Sequence, residues 1–272
     1  MNKVLLFGSA RTGTVTLAHC LRHTAAITDG GNLVIDEPMN KSIEQLRVRG
    51  EDGAAIIKLY EKVNLLHKLD VEDTVPIADN LTSDEIYQML DALFKRYDCV
   101  KHLCDEVSRA SNKIVLDYAV DNNIKIVYQY REDLASTCLS KCMSMQTGQW
   151  TTLNDHSRDI LNEAIYDPIP IPELHFLYVK MSSVAEVYTD YLIDKDVKFY
   201  RVCYEKFLHP DNDIENRINA FKKILEYIEW SYHETDIILK ALHPSTKQHT
   251  DKEYNKVPNI EEIYEWKERI SR

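Results

Sequence analysis

The sequence predicts an α/β protein of three layers, with a central, mostly parallel β-sheet covered by helices on both faces. Three observations lead there. Short runs rich in β-branched or aromatic residues, several apolar on both sides, read as strands buried under helices. Longer stretches of helical periodicity lie between them. The composition, 44% apolar over 272 residues, is enough to fill an ordinary core.

In chain order, Lys3–Gly8 reads as a strand and Thr14–His23 as a helix, followed by a helix over Ser83–Arg96. Strands are expected at Cys99–Leu103, Lys113–Tyr118 and Ile124–Tyr130, and helices at Glu132–Met145 and Met181–Ile193. Val197–Tyr204 reads as the last strand, ahead of helices over Ile214–Leu239 and Ile260–Ile270. Residues 147–175, with Pro168, Pro170 and Pro172, read as an irregular excursion able to cap a site. With seven glycines, eight prolines and no repeat or low-complexity tract, one domain over 1–272 is expected.

Lys and Arg total 33 against 44 Asp and Glu, a formal charge of −11. That balance argues against a nucleic-acid partner or an anionic membrane surface, so any bound anion must be captured by a local pocket. The start lacks the apolar core of a signal peptide, and no run approaches the roughly 18 apolar residues of a membrane span. The six cysteines form no C-x-x-C pair and no zinc spacing. A reducing cytoplasm and no metal are the expectations, and Cys138 and Cys142, one helical turn apart, read as buried thiols.

The first strand runs into Gly8-Ser9-Ala10-Arg11-Thr12-Gly13-Thr14-Val15-Thr16-Leu17, after which a helix begins. Gly8 and Gly13 have the spacing of a phosphate loop, whose amides and helix dipole hold phosphate oxygens. A nucleotide triphosphatase needs Lys and then Ser or Thr next, where this chain has Thr14 and Val15. With its charge moved to Arg11 and hydroxyls at Thr12, Thr14 and Thr16, the loop suits a phosphosulfate, which needs no metal.

This loop resembles that of the PAPS-dependent sulfotransferases, whose 5′-phosphosulfate loop typically reads Pro-Arg-Ser-Gly-Thr/Ser-Thr; Ala10 to Val15 takes those places. A second resemblance follows strand Ile124–Tyr130, where Arg131-Glu132-Asp133 precedes Ser140, Gln146-Thr147-Gly148 and Trp150. The run is similar to the bacterial carbohydrate-sulfating branch. The resemblance implies a P-loop-like sulfotransferase fold, PAPS as donor and PAP as product, with Arg11 to Thr16 on the 5′-phosphosulfate and Arg131 and Ser140 on the 3′-phosphate. Nine residues of helix span about 13 Å, so either Arg131 reaches inward from the strand tip or Ser140 lies on the helix flank. Weaker similarities are Val197–Phe207, Val100–Leu103 and the tail Ser245–His249, which implies nucleotide contact by Lys247.

Sulfuryl transfer requires that the acceptor oxygen lose a proton and that the departing phosphate be stabilised. Arg11, the loop amides and Lys101 suit the second task. For the first, Glu37, in Asp36-Glu37-Pro38, ranks ahead because the carbohydrate-sulfating branch takes its base from this region and Pro38 is expected to restrict the glutamate backbone to an extended conformation. His102 ranks second, for an imidazole that titrates near neutrality. His19 and His23 lack a third metal ligand and read as helix-surface histidines. The acceptor, a hydroxyl on a small molecule, carbohydrate or lipid, is not legible, and neither is the oligomeric state. The rival functions are a non-catalytic PAP or nucleotide-binding protein and a small-molecule kinase with a degenerate phosphate loop.

Overall fold

In a computed structural model, residues 2–29, 34–67, 75–150, 155–208, 211–243 and 251–271 are described. Five parallel strands form one sheet in the order β2-β3-β1-β4-β5: β1 (Val4–Gly8), β2 (Val34–Asp36), β3 (Cys99–Leu103), β4 (Lys125–Tyr130) and β5 (Phe199–Cys203). Side-chain alternation along β1 splits the core into two layers. Leu5 and Phe7 face a cluster that includes α4 (Ser83–Arg96), α5 (Arg109–Asp121) and the second half of α8 (Ile171–Asp194). Val4 and Leu6 face α1 (Thr14–Asp29), α10 (Ile214–Ile228) and α11 (Asp236–Leu242). The three-layer α/β expectation therefore holds.

The chain leaves β1 in one direction, across β3 to the edge strand β2, and takes every later step in the other. Right-handed crossovers then place α1 on one face and α5 and α8 on the other. A third cluster joins α6 (Leu134–Thr147), the start of α8 and α13 (Ile260–Ile270) beyond the carboxyl ends of the strands. All six cysteines are buried and unpaired, Cys138 and Cys142 on α6 among them. No described helix is long and apolar enough to cross a membrane.

Four expectations need correction. Lys113–Tyr118 is not a strand but the middle of α5, which Ser108 caps by accepting the Ser111 N–H. The buried residues Ser111, Asn112, Val115, Leu116 and Ala119 follow helical spacing, which a short β-branched run conceals. The expected helix Ile214–Leu239 is two helices, because Glu229 adopts a left-handed conformation (φ 60°) that ends α10. Met181–Ile193 is the second half of the longer α8, which starts at Ile171 behind Pro170 and carries Pro172 in its first turn. The 147–175 segment is only partly irregular, because it also contains α7 (Asp155–Glu163).

Candidate functional site

The loop after β1 is built by close approaches. A Cβ on Gly8 would lie 2.5 Å from the Gln129 carbonyl oxygen, so only glycine lets β1 and β4 close here. The Gln129 side-chain amide donates to the Thr12 carbonyl (2.7 Å), and the Thr12 hydroxyl donates to the Ser9 carbonyl (2.7 Å). Thr12 is therefore turned inward and shapes the loop. The Ala10 N–H donates to buried Asp105 (2.8 Å), whose other oxygen accepts from Lys141 (2.6 Å). Gly13 has φ 84°, and a Cβ there would meet Leu208 Cδ1 at 2.5 Å. Gly13→Ala combines left-handed strain with overpacking, so a loss of about 3 kcal/mol in urea-unfolding free energy is expected.

Among the described residues, six non-glycines have positive φ. Asn64, Asn123, Asp196 and Glu229 end helices, where that conformation is routine. Arg11 (φ 67°) and Glu37 (φ 53°) end none, and the left-handed Glu37 corrects the extended conformation expected of a residue before proline. Strain without a helix-terminating purpose concentrates at functional positions.

Arg11 leaves the β1 loop and Arg131 leaves the tip of β4. These strands are neighbours whose connections run in opposite directions, and ligands of open α/β sheets settle outside the carboxyl ends at such a switch point. The two guanidinium groups lie near enough there to feel each other's charge, and Arg11, not Arg131, lines the cavity described below. Burial first, and then the nearby charge of Arg131, pull the Arg11 pKa down to about 10, although Tyr254 and Tyr204 oppose the shift. Arg131 stacks on the Tyr204 ring at 4.5 Å and donates through Nε to Glu205 (3.2 Å). Burial opposes its charge, but Tyr254, Tyr204, Asp133 and Glu205 outweigh burial and raise its pKa. Tyr254, on α12 (Asp251–Tyr254), brings the C-terminal segment to both arginines.

Ser140 lies buried on the flank of α6, and Arg131 reaches in from the strand tip. Arg11 rather than Arg131 meets the serine: its Nε and Nη2 donate to Ser140 Oγ at 3.0 and 2.9 Å, and Nη1 donates to the Trp150 carbonyl (2.8 Å). Glu205 also accepts the N–H groups of Glu132 (2.9 Å) and Asp133 (3.2 Å) at the approach to α6. Glu132, Cys203 and Glu205 offer three possible metal-ligand atoms within 4.8 Å of one another. With Glu205 so occupied, the cluster anchors a helix start.

Beside the loop opens a cavity of about 460 Å³, lined by Arg11, Thr14, Val15, Glu37, Lys41 and Lys101 among others, with Trp150 and Lys180 also on its wall. The backbone N–H of Glu37 donates to the Lys101 carbonyl (2.9 Å), which extends the β2–β3 pairing by one residue. Its carboxylate accepts from Lys101 Nζ (2.6 Å) and Lys41 Nζ (2.7 Å), and Lys41 pairs in turn with Glu106 (3.1 Å). Burial alone would raise the Glu37 pKa, but the two ammonium groups outweigh it and hold the carboxyl at about 2. Glu37 is thus always ionised near neutrality, and each of its oxygens already accepts from an ammonium group.

His102 does not belong to this cavity, which corrects its place as second base. Strand alternation turns it away from Lys101 into the core, where it is 0% exposed. There it lies 5.6 Å from the Phe7 ring, with Nε2 2.7 Å from Asn112 Oδ1, and burial pulls its pKa down to about 4. Val15 lines the cavity, whereas Thr16 sits half-buried on α1. Lys247 and the tail 245–249 lie outside the described residues. Sequence reading assigned no role to Tyr204 and Glu205, which fall inside the weak similarity at Val197–Phe207, and it missed Tyr254, Asp105, Lys41 and Lys180.

Fold and site together define a parallel α/β protein with two arginine-bearing turns meeting at the carboxyl edge of its sheet. No family model matches the chain, and no curated protein matches it in sequence.

Proposed function

We propose that this protein is a PAPS-dependent sulfotransferase that moves a sulfuryl group to a hydroxyl of a small-molecule, carbohydrate or lipid acceptor. The observation that carries this reading is the convergence of Arg11 and Arg131 at one switch point, as two ends of a bisphosphorylated adenosine require. In the proposed complex, Arg11, Gly13, Thr14 and the first amides of α1 hold the 5′-phosphosulfate. Arg131 and Ser140 hold the 3′-phosphate, and the Tyr204 and Tyr254 rings flank the nucleotide.

The acceptor oxygen attacks sulfur in line, the bond from sulfur to the phosphate oxygen breaks, and the electron pair leaves on PAP. The acceptor proton goes to Glu37, and Lys101 and Arg11 stabilise the charge on the departing phosphate. The six free thiols suit a reducing cytoplasm.

The reading predicts a thermal shift with PAP and none with ATP and Mg²⁺, since ligand at about 100 times its Kd stabilises by about 2.7 kcal/mol. A panel of hydroxyl acceptors with radiolabelled PAPS then reads transfer directly. A shift with ATP and Mg²⁺ alone would favour the kinase. The pinned carboxylate of Glu37 favours a second reading, a PAP-binding protein without turnover. Tight PAP binding with no label transferred to any acceptor would select it.

A further inference from the structure

Glu37 poses a chemical conflict. It is the carboxylate best placed in the cavity to take an acceptor proton, yet both oxygens are engaged by ammonium groups. A carboxylate in that state is a poor base. The two lysines are not equivalent. Lys41 is shared between Glu37 and Glu106, which keeps it in place when either pairing changes. Lys101 is 1% exposed, and Glu37 is its one carboxylate partner among the described residues. It rises from β3, in register with Leu6 on β1, and lines the same cavity as Arg11, Thr14 and Val15. An anion seated on the β1 loop therefore arrives beside Lys101 and competes with Glu37 for it.

Resting on the sulfotransferase reading, we propose that the donor unmasks the base: bound PAPS or PAP draws the Lys101 ammonium off Glu37, which Lys41 then holds through one oxygen. The freed oxygen accepts the acceptor's proton as its oxygen bonds to sulfur. Lys101, moved to the donor, stabilises the phosphate that takes the electron pair of the broken bond. In the absence of donor the base stays locked. Donor binds before a productive acceptor, and a lone acceptor hydroxyl meets no competent base.

The charged and titratable groups around Glu37 are Lys101 and the neutral His102 on β3, Asp105 and Glu106 just after it, and Lys41, Arg11 and Lys180 from three other elements. Asp105 is committed to Lys141 and the Ala10 N–H, and Glu106 to Lys41. Lys101 is therefore the partner whose removal most changes the basicity of Glu37.

The decisive measurement is a pH titration of the Glu37 carboxyl carbon by NMR in protein labelled at glutamate, with and without saturating PAP. The resonance is assigned by its disappearance in Glu37→Gln, or in Glu37→Asp if the glutamine variant does not fold. The expected result is a pKa about one unit or more higher in the PAP complex. In Lys101→Met the titration is expected to be raised already without PAP and to respond less to it. If calorimetry shows PAP binding and the Glu37 titration does not move, the unmasking proposal is overturned and the sulfotransferase reading stands. If calorimetry shows no PAP binding, both fall. The wild-type titration decides the matter even if Lys101→Met is unstable.

Discussion

Replacing Arg131 with alanine is expected to weaken PAP binding about 100-fold or more while leaving the fold in place. Two charge-assisted hydrogen bonds to a phosphate contribute about 3 kcal/mol, and every 1.4 kcal/mol or so is a tenfold change in affinity. The fold survives because the contacts that Arg131 makes among the described residues, chiefly the Glu205 ion pair and the face of Tyr204, hold no element in place by themselves. Glu205 keeps the N–H groups of Glu132 and Asp133, so the approach to α6 retains its anchor. Arg131→Lys is expected to recover only part of the affinity, because an ammonium keeps the charge but lacks the planar fork and the stacking on Tyr204. Calorimetric titration of PAP into both variants checks this. A loss of less than threefold in the alanine variant would contradict placement of the 3′-phosphate at Arg131.

The second large effect concerns Glu37 and reads out in stability as well as turnover. Its carboxyl titrates near 4.5 when unfolded and at about 2 when folded, because Lys101 and Lys41 outweigh the burial that opposes its charge. A group with a depressed folded pKa contributes stability that is complete above the unfolded value and lost as pH falls through the folded one. The contribution here is about 3 kcal/mol. Glu37→Gln is therefore expected to unfold about 3 kcal/mol more easily than wild type at pH 7, with the gap closing between pH 4.5 and about 2. Denaturant unfolding at several pH values measures it, and comparison with wild type cancels the acid destabilisation from buried His102. A gap independent of pH would mean that the ion pairs are not its source. Turnover in the proposed reaction is expected to fall about 1,000-fold, the scale of a lost general base.

Much of the fold is legible in the residues. β1, β3, β4 and β5 are apolar or aromatic runs of strand length, and α4 and α13 keep their expected limits. α4 has a capping box between Thr82 and Glu85, a signal confined to four neighbouring residues. The failures are equally physical. β2 is three residues long and owes its existence to pairing with β3. α5 carries a β-branched run that only its buried neighbours turn into a helix face. α2 (Ile43–Arg47) and α3 (Gly50–Lys62) fall where the chain offered no clear periodicity.

The site divides in the same way. Arg11, Gly13, Arg131 and Glu37 stand out because each departs from, or obeys, a local pattern: a phosphate-loop spacing without its lysine, an arginine closing a strand, a glutamate held before proline. Tyr204, Glu205 and Tyr254 reach the arginines from more than 70 residues away in sequence, and no spacing rule connects them.

Residue order along the chain dictates the layer architecture, the strand–loop–helix with its arginine in place of a phosphate-loop lysine, and the second arginine at the end of β4. These follow from hydrophobic period, turn chemistry and charge, which act over a few residues at a time. Folding in three dimensions is what makes the two arginines meet, gives Ser140 to Arg11 rather than Arg131, seals His102 in the core, and sets Glu37 between two lysines. Each of these depends on strand order and register, which join side chains distant along the chain and set how much water and charge surround them.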